Sequence, residues 1–387
     1  MRYIPRLLDS QIRKAVHGFP AILLTGPRQC GKTTLLKHHF PDTTYVLLED
    51  PDVISRVRSD ARTFLEDLKP PVILDEIQNV PELLNYIRTR IDDKPSRKGQ
   101  WLLTGSQEAP LMQGVSESMA GRAAILQLLP LSTQETEKTS ILLGGFPDVL
   151  GRPASADLWF RSYVQTYLER DVRAITAVKD LGTFRRFLAL LASRCGNLLN
   201  KTDIAAPLGV SVPTITAWLN VLEITGQIIL VPPFYENFGK RLIKSPKVYF
   251  MDSGLACHLL GVDSLNALKR SPFYGALFEG FVASEIIKQQ INKGKRPELY
   301  YFRDQQGLEV DFIVPKSPAG LALVEVKTGK TPKPEMAKSL QRLSASIKRY
   351  HSESFLVHSG IKDADAAGRA LKPGITALSL AALLDKL

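Results

Sequence analysis

Nine residues, GPRQCGKTT from Gly26 to Thr34, constrain what this chain can fold into more than any other stretch. They fit the pattern G-x-x-x-x-G-K-[ST], follow the apolar run AILLT and lead into TLLKHHF. A strand, a glycine-rich loop and a helix in this order predict a phosphate-binding loop, whose backbone N–H groups point at phosphate oxygens. The predicted nucleotide contacts are Gly26, Pro27, Arg28, Gln29, Cys30, Gly31, Lys32, Thr33 and Thr34.

Two side chains of this loop have predicted roles of their own. Lys32 is expected to reach the β and γ phosphates, and the Thr33 hydroxyl is expected to ligate Mg²⁺. The predicted cofactors are therefore ATP and Mg²⁺, and the predicted reaction is ATP hydrolysis. The alternative is a glycine turn beside an exposed lysine, but strand, loop and helix are all in place here.

Acids and hydroxyls end two further apolar runs. VILDE closes with Asp75, predicted to hold the Mg²⁺ shell, and Glu76, predicted to polarise the attacking water. Adjacent acids on a buried strand are costly unless they are paired or bind metal. In LLTGS, Ser106 or else Thr104 could sense the γ phosphate or orient water, and a simple turn is the alternative.

Arg122, in AGRAAILQLLPLS, follows the LLTGS strand by one helix and precedes another strand. In ring-forming ATPases an arginine at this place projects into the neighbouring subunit's nucleotide and stabilises charge in the transition state. A head-to-tail contact that closes gives a ring, so a homo-oligomer is expected. The alternative is a surface arginine that opens a strand.

The order of apolar and amphipathic stretches predicts an α/β fold with several domains. Over the first third, apolar runs alternate with amphipathic stretches, as in a parallel sheet covered on both faces. At 387 residues, the chain is too long for one typical core. The predicted domains are a P-loop core with a parallel sheet (1–155), a helical lid (156–195), a winged helix (196–262) and a second α/β domain (263–387).

The net charge and the cysteine content indicate the class of binding partner and the cellular compartment. The net charge of +11 and the pI of about 9.4 favour polyanions, chiefly nucleic acid or a phospholipid surface, and solubility alone is the alternative. No run approaches the roughly 20 apolar residues of a membrane span, and no signal peptide is recognised, so no membrane partner is expected. Three cysteines without metal or disulfide spacing are consistent with a reducing cytoplasm.

Residues 200–226 predict two helices joined by a tight turn at Gly209, with Ser211 as the cap of the second helix. Thr214 and Thr216 are expected to face a DNA groove. Four basic residues in the following loop and strand are suited to phosphate contacts, namely Lys240, Arg241, Lys244 and Lys247. No arginine or asparagine is placed for base readout, so binding is expected to be largely independent of DNA sequence. The alternative is a module for packing or protein docking.

Isolated acids interrupt two apolar runs near the C-terminus. If EVDFIV and LVEVK pair as a hairpin, Asp311 and Glu325 can lie side by side, and Glu279 on the preceding helix can join them. Carboxylates this close are unfavourable unless a cation lies between them. A Mg²⁺ site beside Lys327 would meet that requirement. The alternative is a Glu325–Lys327 ion pair with Asp311 on a solvated strand.

Two resemblances extend these interpretations. The motifs YIPR, GPRQCGKTTLL, VILDEIQNVP, LLTGSQ, AGRAAILQLLPLS, GGFPDV, YLERDV, KVYFMDSGL and EVDFIV…LVEVK occur in order over nearly the whole chain. In this, the chain resembles bacterial and archaeal AAA-type ATPases with a C-terminal DUF4143 domain, which implies an AAA+ core with ATPase activity. The Asp…Glu-x-Lys pattern resembles the PD-(D/E)xK nuclease fold, and fold alone does not establish cleavage.

Three functions follow as hypotheses. The first is an ATP-hydrolysing, oligomeric protein that acts on or binds DNA. The second is a nucleotide-gated switch for a partner protein, with an inert nuclease-like domain. The third is a metal-dependent nuclease licensed by ATP. The pathway, the preferred DNA structure and the number of subunits do not follow from the sequence.

Overall fold

The fold is taken from a computed structural model of the chain, which describes residues 3–106, 118–168, 181–234, 245–359 and 368–387. Three sheets organise these residues: a five-stranded sheet, a two-stranded sheet and a six-stranded sheet, in chain order. Helices pack against each of them. The α/β class predicted from the sequence is confirmed.

The N-terminal sheet is parallel throughout, with strands in the order β2-β3-β4-β1-β5. Its strands are β1 Ala21–Thr25, β2 Thr44–Leu47, β3 Val72–Asp75, β4 Trp101–Thr104 and β5 Ala123–Gln127. The helices around it are α1 Asp9–Gly18, α2 Lys32–His39, α3 Pro51–Ser59, α4 Ala61–Asp67 and α5 Leu83–Asp93. The predicted parallel sheet of a P-loop core is therefore present.

Both faces of this sheet are buried, which explains its continuous apolar strands. Successive side chains of a strand point to opposite faces. Leu23 and Leu74 belong to one hydrophobic core, and Ile22 and Ile73 belong to the core on the other face. Because the strands are parallel, their carboxyl ends all lie at the same end of the sheet. The loops after β1, β3 and β4 meet there.

The middle of the chain is mostly helical and shares a single hydrophobic core, so the described parts of the predicted lid and of residues 196–262 pack together. Its elements are α6 Pro147–Gly151, α7 Ala156–Tyr163, α8 Leu181–Ser193, α9 Lys201–Leu208, α10 Val212–Ile224, β6 Ile228–Val231, β7 Lys247–Phe250, α11 Ser253–Leu259 and α12 Leu265–Arg270.

The predicted turn between two helices is present in this region. Gly209, with φ +66°, directly follows Leu208, the last residue of α9, and the Ser211 side chain caps α10 by accepting a hydrogen bond from the Thr214 N–H. Strands β6 and β7 then pair antiparallel. Residues 235–244, which join these strands, lie outside the described part of the chain, so the winged helix stays a prediction.

The C-terminal sheet has six strands in the order β12-β13-β11-β10-β9-β8. Long helix α13, Tyr274–Asn292, packs on one face with α15, Leu380–Lys386, and α14, Lys338–Ser346, packs on the other. The strands are β8 Tyr300–Arg303, β9 Glu309–Ser317, β10 Gly320–Lys327, β11 His351–His358, β12 Arg369–Lys372 and β13 Ile375–Leu378.

Within the described ranges, no single helix is both long enough and apolar enough to cross a membrane. Helices α9 and α10 reach that length and composition only when counted together, and they are bent by 111° at their junction.

Candidate nucleotide-binding site

The loop between β1 and α2 has the backbone conformation that a phosphate-binding loop requires. Gly26 and Gly31 have φ values of +137° and +98°, which side-chain-bearing residues rarely adopt. A Cβ added to Gly26 would lie 2.0 Å from the carbonyl oxygen of Leu128. Gln29, between the glycines, also has a positive φ, +64°. The predicted contact residues, Gly26 to Thr34, therefore form a tight turn that ends in the first turn of α2.

The side chain of Lys32 folds back into this loop. It is only 5% exposed, and its Nζ donates to the carbonyl oxygens of Gly26 at 3.1 Å and Pro27 at 3.0 Å. An ammonium group has three donors, so it can bond a phosphate oxygen as well as the loop.

Asp75 ends the neighbouring strand β3 and is 3% exposed. The Thr33 hydroxyl lies 3.0 and 2.9 Å from its two carboxylate oxygens, and the Tyr45 hydroxyl donates to Oδ2 at 2.7 Å. The Thr104 hydroxyl donates to Oδ1. Carboxylate and hydroxyl oxygens are the ligands that Mg²⁺ prefers, so Asp75 and Thr33 fit the predicted ion.

Tyr45 is a residue that the sequence reasoning missed. Burial raises the pKa of its phenol, and the hydrogen bond to Asp75 raises it further. The Lys37 ammonium lies 3.3 Å from the centre of its ring. No motif marks Tyr45 in the sequence, because its role follows from strand β2 pairing with β3.

Glu76 follows Asp75 in a left-handed backbone conformation, with φ +61°, that non-glycine residues rarely adopt. Its backbone N–H donates to the Thr104 hydroxyl at 3.1 Å. The Gln78 side chain donates to the Glu76 carboxylate and to the Ser106 hydroxyl, the latter at 3.2 Å, and accepts from the Ser106 N–H at 3.3 Å. The structure thus joins Glu76 and Ser106 through Gln78, a second residue that the sequence reasoning missed.

A cavity of about 220 Å³ lies beside the phosphate-binding loop. It is mainly apolar, and its lining includes Tyr3, Ile4 and Arg6 of the N-terminal segment, Thr34 at the end of the loop, Pro147 of helix α6, and Leu131 of the segment after β5. An apolar cavity beside a phosphate-binding loop suits a flat heterocyclic base.

Arg122 lies at the start of edge strand β5 and forms a two-point ion pair with Asp92 of the same chain. Its Nε donates to Asp92 Oδ1 at 2.6 Å and its second terminal nitrogen donates to Oδ2 at 2.9 Å. The Arg122 side chain remains 34% exposed. The hydrogen bond from Arg122 lowers the pKa of Asp92.

Lys247, predicted to contact DNA phosphates, is instead a buried member of the C-terminal acid cluster. It is 2% exposed, and its Nζ lies 2.7 Å from Glu309, 3.1 Å from Glu279 and 3.9 Å from Asp311. The prediction that it contacts phosphate is therefore wrong, because β7 turns this side chain toward α13 and β9.

The three acids predicted to bind a second metal, Glu279, Asp311 and Glu325, do lie in one cluster. Asp311 accepts a 2.8 Å hydrogen bond from the Val326 N–H, beside Glu325. The Lys247 ammonium lies beside Glu279 and Asp311, and the Lys327 ammonium lies beside Glu325. Across the described residues, no group of three His, Cys, Asp or Glu side chains is arranged to hold a metal ion. The cluster in this conformation therefore does not fit the predicted metal.

Burial of the cluster changes its protonation. Burial, followed by the negative charge of Asp311, raises the pKa of Glu279 to about 7 and that of Glu325 to about 8. Lys327 Nζ lies 2.6 Å from Glu325 Oε1, the contact that the alternative interpretation expected. The other half of that alternative is wrong, because Asp311 is buried and not solvated.

The remaining predicted DNA contacts divide into two groups. Thr214 and Thr216 are half-buried on α10, where their hydroxyls bond locally to Ser211 Oγ at 2.8 Å and to the Val212 carbonyl at 3.0 Å. Lys240, Arg241 and Lys244 lie in residues 235–244, outside the described part of the chain.

Family models match three successive parts of the chain. Residues 18–137 match an AAA domain, residues 134–266 match a domain of unknown function, DUF8612, and residues 274–382 match another, DUF4143. An uncharacterized protein of Mycobacterium tuberculosis is 33% identical over 334 aligned residues, and the alignment covers 84% of this chain and 74% of the relative. One from Mycobacterium bovis gives the same values.

Solved structures with a similar chain course include an ATPase and a branch migration motor. The Walker-type ATPase of Pyrococcus abyssi is 16% identical, with a TM-score of 0.44, over 65% of this chain and 94% of that one. The RuvB Holliday junction branch migration motor of Thermotoga maritima is 16% identical, with a TM-score of 0.31, over 58% and 89%. At these values the two structures carry no argument about function. The matched domains and relatives carry the assignment: the chain belongs to the family of AAA-type P-loop ATPases that have a C-terminal DUF4143 domain.

Proposed function

We propose that this protein binds and hydrolyses ATP with Mg²⁺ at the loop between β1 and α2, and that it does so as a homo-oligomer acting on DNA. One observation carries the first part of this proposal. Thr33 and Asp75 are in direct hydrogen-bond contact, with Lys32 in the same loop and Glu76 next along the chain. This combination supplies groups for phosphate, for a cation and for water at one edge of the sheet.

Each residue has a distinct task in this proposal. Lys32 and the loop N–H groups bind phosphate oxygens, and Thr33 and Asp75 hold the ion. Bound Mg²⁺ supplies positive charge that offsets the charge of the triphosphate. Glu76, held by Gln78, orients the attacking water and accepts its proton. The apolar cavity beside Tyr3 and Pro147 accommodates the base.

The position of Arg122 supports action on a neighbouring subunit. Ala123 pairs with Ala21, the first residue of β1, whereas the phosphate-binding loop begins after Thr25 at the other end of that strand. Five strand residues span about 16 Å, so Arg122 is remote from the loop of its own chain. A head-to-tail neighbour could receive it once the ion pair with Asp92 opens.

DNA as the partner is supported by the net charge of +11. The second candidate is a nucleotide-gated switch that binds a protein through its C-terminal modules. The buried Lys247 among the carboxylates favours an inert nuclease-like domain, as that candidate requires. We do not propose a metal-dependent nuclease, because the same ammonium occupies the cluster.

ATP turnover with and without duplex DNA tests the proposal. The wild-type protein should hydrolyse ATP, and duplex DNA in low-salt buffer should increase the rate of hydrolysis. The Lys32→Ala variant should be inactive. Turnover that ignores DNA at low salt would support the protein-partner switch instead. Absence of ATP binding by wild type would remove the proposal altogether.

Mixed subunits test whether Arg122 acts in trans. Arg122→Ala should lose about 10³-fold in turnover. Mixing it with Lys32→Ala should restore part of the activity, because the latter still offers its arginine to an intact loop. Arg90→Ala is the matched control, since the Arg90 side chain is 33% exposed and also pairs with an acid, Glu66. A mixture as inactive as its components would contradict the trans role.

A further inference from the structure

Arg6, near the N-terminus, lines the apolar cavity beside the phosphate-binding loop and is only 6% exposed. Its guanidinium donates to the carbonyl oxygen of Cys30 at 3.0 Å and to that of Leu129 at 2.5 Å. In a trans peptide, the C=O and the following N–H point in opposite directions. A donor that holds the Cys30 carbonyl outward therefore holds the Gly31 N–H inward, toward the phosphate position.

The third bond of Arg6 ties it to the segment after β5. Arg6 Nε donates to Glu135 Oε1 at 2.9 Å, and the Glu135 side chain is fully buried. The other carboxylate oxygen of Glu135 accepts from the Ser132 N–H at 2.8 Å and from its hydroxyl at 3.1 Å. The position of residues 132–135 therefore sets the position of the Arg6 guanidinium.

The C-terminal domain holds the same segment from the opposite side through helix α13. Glu285 Oε2 accepts from both the N–H and the hydroxyl of Thr133, each at 2.7 Å. Lys288 Nζ donates to the Leu131 carbonyl at 3.1 Å and to Glu285 Oε1 at 2.9 Å. Glu285 and Lys288 are 0% and 2% exposed. A buried ion pair is costly unless its remaining hydrogen bonds are made, and these go to the nucleotide domain.

We infer that Arg6 is a positioning residue for the phosphate-binding loop and that Glu285 and Lys288 of the C-terminal domain fix it through residues 131–135. Nucleotide affinity then depends on the contacts that helix α13 of the C-terminal domain makes with residues 131–135. Because coupling between two sites is reciprocal, bound nucleotide should in turn stabilise the contacts of α13. The inference rests on the proposed function, since it assumes that the loop binds nucleotide.

Thr133→Val tests the link without removing a charge. The valine keeps the N–H bond to Glu285 and loses only the hydroxyl bond. The Kd for ATP, from calorimetry, should rise about fivefold, which is at the low end of common coupling factors. In steady-state kinetics KM should rise while kcat is unchanged, because the loop binds phosphate equally in ground and transition states. Thr376→Val, another half-buried threonine, is the matched control and should leave Kd unchanged.

Arg6→Lys tests the positioning role directly. Lysine keeps the charge opposite Glu135 but has no planar fork to bond both carbonyl groups. The Kd should rise on the order of 10- to 100-fold, with a thermal midpoint showing that the variant is folded. Arg13→Lys on α1 is the control for an exposed arginine near the N-terminus.

Hydrogen exchange provides the reciprocal measurement. ATP should slow amide exchange in α13 of wild type, and Thr133→Val should reduce that protection. Equal Kd values for wild type, Thr133→Val and Arg6→Lys, with Lys32→Ala unable to bind, would overturn the inference while leaving the proposed function intact. If wild type itself bound no ATP, the proposed function would fail first, and the inference would fail with it.

Discussion

The hydroxyl of Tyr45 donates a 2.7 Å hydrogen bond to Oδ2 of Asp75, so an edge strand helps to hold the carboxylate expected to bind Mg²⁺. Thr33 and Thr104 also donate to this carboxylate. Three hydroxyl groups from three elements therefore set its orientation. Loss of a hydrogen-bond partner of a metal-binding carboxylate typically lowers metal affinity by about 10- to 100-fold.

Tyr45→Phe is expected to raise the Mg²⁺ concentration for half-maximal ATP turnover by about tenfold. The change removes only the hydroxyl group and keeps the ring over which the Lys37 ammonium lies. Electron paramagnetic resonance of Mn²⁺ with ATP should show the same loss of affinity. Tyr86→Phe, at a 43% exposed tyrosine on α5, is the control. An unchanged metal requirement in Tyr45→Phe would mean that Thr33 and Thr104 suffice.

Gln78→Leu is expected to lower kcat by about 10- to 100-fold with little change in KM, because Glu76 loses the amide that bonds its carboxylate. ATP binding depends on Lys32 and the loop, which this substitution does not touch. Single-turnover kinetics would separate hydrolysis from product release. Gln341→Leu, at an exposed glutamine of α14, is the control, and a normal kcat for Gln78→Leu would exclude a positioning role.

The phosphate-binding loop and the sheet could be predicted because their signals are local. GPRQCGKTT specifies a turn with two glycines of positive φ, and continuous apolar strands such as AILLT specify burial on both faces. Asp75 could be found for the same reason, since a strand that ends in an acid is visible in the sequence. Neither inference needs knowledge of how distant segments pack.

The roles of Tyr45, Gln78 and Arg6 could not be predicted, although Arg6 and Gln78 lie within the motifs YIPR and VILDEIQNVP, because these roles depend on tertiary placement. Tyr45 acts only because β2 pairs with β3, and Arg6 acts only because residues 129–135 return to the loop. The prediction for Lys247 was wrong because it relied on the local sequence alone. A lysine at the end of a basic run is expected to be solvated, but its strand brings it against three carboxylates.

Lys247→Met is expected to reduce the free energy of unfolding by about 3–5 kcal/mol, because it leaves buried carboxylates without their cation. Chemical denaturation monitored by circular dichroism would measure this change. Lys316→Met is the matched control: its pair with Glu353 is as short, 2.7 Å, but is largely exposed and should be worth less than about 1 kcal/mol. Equal losses in the two variants would contradict a structural role for the buried pair.

Stability is expected to fall as pH rises through the folded-state pKa values of Glu279 and Glu325, about 7 and about 8. Both folded-state pKa values lie above the ordinary value of 4.5. Between pH 4.5 and the folded-state pKa of each residue, the folded state therefore holds a proton that the unfolded state has released. The free energy of unfolding therefore decreases as pH rises. The stabilisation from these two carboxyl groups is complete below the pKa that they have in the unfolded state.

Glu325→Gln tests this pH dependence because glutamine is nearly isosteric with the protonated acid and cannot ionise. Relative to wild type, the variant should gain on the order of 1–3 kcal/mol in unfolding free energy between pH 5 and pH 8.5. Denaturant titrations at several pH values would measure the difference. Glu353→Gln, at the exposed end of β11, should show no comparable gain. Parallel curves for wild type and Glu325→Gln would mean that Glu325 is ionised in the folded protein, and that Lys327, 2.6 Å away, already compensates its charge.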